Sequence, residues 1–197
     1  MPRTCFVIMP FSETASCSKR EWTRIYKNLF KKTIEESGLD YECRRSSATR
    51  GSIIRGIIED LDESWVVLAD LTDQNPNVFY ELGIRHSLGP RTILVAQQRR
   101  DIPFDLRSYA SHTYEWNTTK GRSAFKKKIK SLLEEIDQNP ERPENPVSDF
   151  RNVTNQAQEE ANEQPETKSG AESIVGPGTG KLDMKDFVKR LLGSKDK

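Results

Sequence analysis

Three short runs are apolar at every position: Cys5–Met9 (CFVIM), Trp65–Ala69 (WVVLA) and Ile93–Ala96 (ILVA), the last led by Thr92 in the strand Thr92–Ala96. A strand with one wet face alternates apolar and polar residues, so an unbroken run predicts a strand covered by helices on both sides. The intervening segments have helical spacing. Between Glu21 and Ser37, residues Trp22, Ile25, Tyr26, Leu29, Phe30 and Ile34 recur at steps of one, three and four, and Gly38 supplies a stop. A short strand, Leu39–Cys43, comes next. Ile53, Ile54, Ile57, Ile58 and Leu61 then mark a helix that starts near Thr49 or Ser52. A third helix is expected from Asn77, as cap, to Leu88, because Gly89–Pro90 cannot continue it. Ala110–Trp116 reads as a weak fifth strand, and Phe125, Ile129, Leu132, Leu133 and Ile136 as the apolar stripe of a last helix. Strands alternating with helices through right-handed crossovers give an α/β fold: a flavodoxin-like, doubly wound, parallel five-stranded sheet of order 2-1-3-4-5.

The pattern stops after Ile136. Residues 138–181 are rich in Glu, Gln, Asn, Ser, Gly and Pro. Such a stretch buries too little apolar surface to offset its ordering entropy, so a disordered linker is expected there, with a folded domain over 1–137. It leads to Leu182, Met184, Phe187, Val188, Leu191 and Leu192, which form one apolar face of a short helix over 182–193. A helix that short is marginal alone. It is expected to dock on its own domain or stay frayed, or else to serve as a tethered contact for a protein partner or a homo-oligomer.

Charge excludes some function classes. The chain carries 31 Lys plus Arg and 30 Asp plus Glu, which removes whole-molecule attraction to nucleic acid or anionic lipid. No nucleic-acid partner and no membrane are expected, since the apolar runs fall far short of about 20 residues. Cys5, Cys17 and Cys43 are odd in number, fit no CxxC spacing and follow no secretory leader, which points to a reduced, cytoplasmic setting. There is no metal-ligand cluster, no Gly-rich phosphate loop and no GxGxxG, so no metal or cofactor is expected.

In a doubly wound sheet, ligands bind at the carboxyl ends of the strands where strand order reverses, here between strands 1 and 3. The loop after strand 3 is the densest in polar groups: Asp70-Leu-Thr-Asp73-Gln-Asn75-Pro-Asn77-Val-Phe-Tyr80-Glu81-Leu-Gly83. Glu81 falls one turn into its helix, where the N-terminal dipole favours an ionised carboxylate. Its competing role is an i,i+4 pair with Arg85 on a solvated face. Asp70 and Asp73 are candidates for handling a proton, if burial raises a pKa. Asp70 equally suits capping the turn.

Three segments, Cys5–Phe11 (CFVIMPF), Ala69–His86 (ADLTDQNPNVFYELGIRH) and Pro103–Arg107 (PFDLR), resemble the nucleoside 2-deoxyribosyltransferase-like group of bacterial proteins, which is related in fold to Toll/interleukin-1 receptor (TIR) domains. The resemblance spans about residues 4–137. It implies that Glu81, within Glu-Leu-Gly, attacks or stabilises an anomeric carbon as an N-glycosidic bond breaks, in a nucleoside or in NAD. A carboxylate suits the oxocarbenium-like transition state of that reaction. The transferases usually carry Gly-Thr before this Glu, whereas Val78-Phe79-Tyr80 stands here. That shifts the expectation from transfer towards hydrolysis, or towards binding without chemistry.

Arginines follow the strands: Arg44, Arg45 and Arg50 after strand 2, Arg55 on the next helix, Arg99 and Arg100 after strand 4, and Arg107 closing that loop. Guanidinium forks suit phosphate better than a neutral nucleoside, so a nucleotide or dinucleotide is expected. Phe11, Ser12, Asn75, Asn77 and Tyr80 complete the candidate binding set, with Tyr80 or Phe79 placed to stack a base. His86, further along the helix, reads as structural. Two functions remain: an N-glycosidase acting through Glu81, or a nucleotide-binding or homotypic interaction module in a signalling or defence setting.

Overall fold

The computed structural model describes residues 1–45, 53–109, 111–142 and 144–163. Its five strands are β1 (Arg3–Ile8), β2 (Tyr41–Arg45), β3 (Val66–Asp70), β4 (Thr92–Ala96) and β5 (Ser111–Thr113). All pair in parallel, in the order β2-β1-β3-β4-β5. The three unbroken apolar runs are the three central strands. β3 and β4 are buried at every position.

Successive residues of these strands feed two cores. Cys5, Val7, Val66, Leu68, Ile93 and Val95 pack with α1 (Lys19–Ile25), α2 (Lys32–Glu35) and α5 (Thr119–Gln138). Phe6, Ile8, Val67, Ala69, Leu94 and Ala96 pack with α3 (Ile53–Glu63) and α4 (Pro76–Leu88). The period of two that sends alternate side chains to opposite faces therefore sorts the helices into two layers.

Helix ends follow local chemistry. Ser18 and Glu21 form a reciprocal capping box at the start of α1. A π-helical turn, Tyr26–Lys31, joins α1 to α2. The cap of α4 is Asn75, not Asn77: its side chain accepts hydrogen bonds from the Asn77 and Val78 N–H groups. Pro76 explains the shift, because it lacks an N–H and its fixed φ suits the first helical position.

Two expectations change. β5 is only three residues long, and the chain beyond Ile136 is not uniformly irregular. α5 continues to Gln138, and α6 (Pro146–Glu163) packs against α4. Asn145 is fully buried, caps α6 by accepting from Val147 and Ser148, and donates to the Gly89 carbonyl. Tyr109 donates to Asp149. These hydrogen bonds anchor a segment whose composition alone predicts a linker. The rest of that linker and the helix expected over 182–193 lie outside the described residues. No helix among the described residues is long and apolar enough to cross a membrane.

Candidate functional site

A cavity of about 430 Å³ lies at the carboxyl end of β1, between α3 and α4. Its size falls within the range of small-molecule pockets. The chain after β1 gives it Met9, Pro10, Phe11 and Ser12. The start of α4 gives Asn75, Asn77, Val78, Tyr80, Glu81 and Ile84, and α3 gives Ile54, Ile57 and Ile58. Asn77, Tyr80, Glu81 and Ile84 are spaced at three and four residues, so one face of α4 forms a wall.

Six candidate residues meet here: Phe11, Ser12, Asn75, Asn77, Tyr80 and Glu81. Glu81 is the one acidic group among the described residues that line it, and burial pushes its carboxyl up to about 7. The sequence expectation of a fully ionised carboxylate is therefore corrected. A helix dipole contributes about 0.3–1 kcal/mol near the first turn, whereas the apolar wall withdraws solvent from the charge itself. Pairing with Arg85 is not found either. Arg85 is almost fully buried and donates to the carbonyls of Leu61, Ser64, Trp65 and Arg91, tying α4 to the loops that enter β3 and β4.

The two aspartates are elsewhere. Asp70 does not line the cavity; it is completely buried. It accepts hydrogen bonds from the Thr72 backbone and hydroxyl and from the Tyr114 hydroxyl at 2.6 Å. Burial pushes Asp70 up to about 6 against the pull of those donors. Thr72 also accepts from the Gln97 N–H, so Asp70 holds the ends of β3, β4 and β5 together and caps the turn. Asp73 accepts from the Thr14 hydroxyl at 2.5 Å, the Ser16 N–H at 2.8 Å and the Ser16 hydroxyl at 2.6 Å. Burial opposes its ionisation, but those donors outweigh it and hold the carboxyl below its usual range. Asp73 thereby fastens the β1–α1 loop that supplies Pro10–Ser12. It and Gln74 both adopt left-handed backbone, with φ of 58° and 51°, a conformation Asp tolerates better than most residues.

The arginines do not converge. Arg45 lies at the cavity's edge, its guanidinium 4.3 Å from the Phe11 ring centre and 4.7 Å from that of Tyr26. Its Nη1 is buried without a hydrogen-bond partner among the described residues, and burial lowers its pKa. Arg44 instead pairs with Glu42 on the exposed side of β2. Arg107 and Arg100 line a second, open cavity with Phe79 and Phe104, on the other side of the α4 N-terminus. Arg50 lies outside the described residues. His86 is buried in α4, and burial lowers its pKa to about 4, with Arg85 adding to the effect.

Sequence reasoning missed Ile54, Ile57, Ile58 and Ile84. A signal existed: isoleucines at 53, 54, 57 and 58 form an apolar stripe wider than one packed face needs, and Ile54 is 62% exposed. No protein-family model matches the chain, and no curated protein does.

Proposed function

We propose that the protein cleaves the N-glycosidic bond of a nucleotide, NAD being one candidate, with Glu81 as the reacting carboxylate. The observation that carries this reading is a carboxylate, pushed by burial up to about 7, that is the one acidic group among the described residues lining a largely apolar cavity at a strand end. At neutral pH such a group is present in both forms. Ionised, it stabilises positive charge at the anomeric carbon while water adds there and loses a proton; protonated, it can give a proton to a base that would otherwise leave as an anion, which nicotinamide, leaving neutral, does not need. Tyr80 and Phe11 offer faces for the base, Asn75 and Asn77 amides for sugar hydroxyls, and Arg45, stacked on Phe11, a positive charge beside the cavity for phosphate. This division of roles accords with the resemblance to deoxyribosyltransferase-like and TIR-like proteins.

The test is base release from NAD, NADP, nucleoside 5′-phosphates and nucleosides, followed by chromatography and mass spectrometry for wild type and Glu81→Gln. Release by the wild type that drops about 100-fold or more in Glu81→Gln is the expected result. Equal turnover by both would remove Glu81 from the reaction. A second reading, nucleotide binding or homotypic assembly without chemistry, draws on the exposed apolar rim formed by Phe11, Ile54 and Tyr80. It predicts binding or self-association with no product.

A further inference from the structure

The arginines that turn away from Glu81 line a cavity of their own. It is open, about 670 Å³ in volume, and lies between the α4 N-terminus and the loop that follows β4. Residues at the start of α4 divide between the two cavities. Asn75, Asn77 and Tyr80 line the one that holds Glu81, whereas Gln74, Pro76 and Phe79 line the second. The two aromatic residues that the sequence offers for stacking a base therefore belong to different cavities. The N–H groups at this helix end are already used: Pro76 has none, and those of Asn77, Val78 and Phe79 donate to Asn75. Positive charge in the second cavity comes instead from Arg100 and Arg107.

The loop after β4 presents that charge on a fixed frame. Ile102 and Leu106 are buried in the core under α3 and α4. They anchor the turn Phe104–Leu106 on both sides and leave Phe104 outward, 83% exposed. The N–H groups of Leu106 and Arg107 donate to the carbonyls of Pro103 and Phe104. Arg107 Nε donates to the Ile102 carbonyl at 3.1 Å, so the backbone holds one edge of the guanidinium, while its two terminal nitrogens have no partner among the described residues. No acidic residue among the described ones lines the cavity. Asp73 and Asp101 attract Arg100 from nearby, and the Asp73 carboxylate is occupied by Thr14 and Ser16. Neither arginine forms an ion pair among the described residues. One cavity thus combines two aromatic side chains with two guanidinium groups that have no acidic partner.

We propose that this cavity is a second nucleotide site, which takes a nucleoside 5′-phosphate with its base against Phe79 and Phe104 and its phosphate on Arg107 and Arg100. Guanidinium forks match phosphate oxygens in pairs, and aromatic faces suit a flat heterocycle better than an aliphatic anion. The volume lies within the range of small-molecule sites. A free nucleotide is favoured over a nucleic-acid strand because 31 basic and 30 acidic residues leave the chain almost no net attraction for a polyanion. Nothing in the site depends on Glu81. The test is calorimetric titration of the full chain with adenosine, guanosine, cytidine and uridine 5′-monophosphates, with the parent nucleosides, ribose 5-phosphate and a short single-stranded oligonucleotide as controls. At least one monophosphate is expected to bind at least tenfold more tightly than its nucleoside or ribose 5-phosphate, and more weakly as salt rises. Arg107→Gln should weaken that binding at least tenfold and Phe104→Ala several-fold; both side chains are exposed, so both variants keep the core. Tyr80→Ala and Glu81→Gln, in the other cavity, leave the affinity within twofold. Hydrogen exchange then locates the ligand, with protection expected at 104–107 and not at 54–58. No binding by any monophosphate, equal binding by the nucleoside, tighter binding by the oligonucleotide, or binding lost in Tyr80→Ala and kept in Arg107→Gln would each overturn the proposal. A wild type that releases no base would leave this site standing, and loss of this site would leave the reading of Glu81 untouched.

Discussion

At Glu81 burial and charge pull against each other. Its ordinary pKa of 4.5 rises to about 7 in the fold, with burial as the cause. The folded chain thus holds this proton more tightly than the unfolded chain does. The contribution to stability is complete below pH 4.5, fades as pH rises through 7, and leaves the ionised group as a cost above that. Glu81→Gln keeps the shape and removes the charge. It should stabilise the protein by about 1–3 kcal/mol at pH 8, with partial solvent access keeping the gain below the full shift, and by nearly nothing at pH 4. Urea unfolding at the two pH values measures this. An advantage independent of pH would mean that desolvation of the carboxylate is not its source. The position of Glu81 was legible from the sequence because strand end, cap and helix are local signals. Its protonation was not. The solvent is excluded by Ile54, Ile57 and Ile58 on another helix, and no property of the residues around Glu81 encodes what α3 places across from it.

Individual elements show the same division between local and distant causes. The sheet order could be read because unbroken apolar strands and alternating helices leave few arrangements. The roles of Asp70 and Asp73 could not be separated, since both are carboxylates at the end of β3 and differ only in what reaches them. Tyr114 comes from beyond β5 to Asp70, while Thr14 and Ser16 come from beyond β1 to Asp73. Asp73 is thus a positioning residue for the loop that forms one wall of the cavity. Asp73→Ala would leave three donors without their acceptor and should cost about 1 kcal/mol of stability, because water replaces part of what is lost at this partly buried site. For a glycosidase the larger effect is on ligand capture: KM rises several-fold while kcat falls by less than twofold. Steady-state kinetics on the nucleotide identified as substrate separates the two. A fall in kcat comparable to that of Glu81→Gln would instead assign Asp73 to the proton transfer itself.

At the scale of the molecule, composition misjudged where the ordered chain ends. Residues beyond 138 are polar enough to read as linker, yet α6 needs few apolar contacts because it is fastened at its start. Asn145 is the fastening point. Its side-chain oxygen accepts from two N–H groups of α6, its amide donates to the Gly89 carbonyl just past α4, and the residue is wholly buried. Exposed Phe150 and Val153 show that α6 buries only part of its apolar surface, so the cap carries an unusual share of its stability. Asn145→Ala removes a cap worth about 1 kcal/mol and leaves the Gly89 carbonyl without this donor, a further cost of about 1–3 kcal/mol. The penalty should be local. Amides of α6 are expected to exchange at least tenfold faster, while those of β1 and β3, whose protection follows global unfolding, change far less. If α6 keeps its protection in Asn145→Ala, its contact with α4 and the Tyr109–Asp149 hydrogen bond hold it instead. A matched slowing or quickening across α6 and the central strands would mean that α6 unfolds only with the whole domain, which would move the domain boundary from 137 to the end of α6.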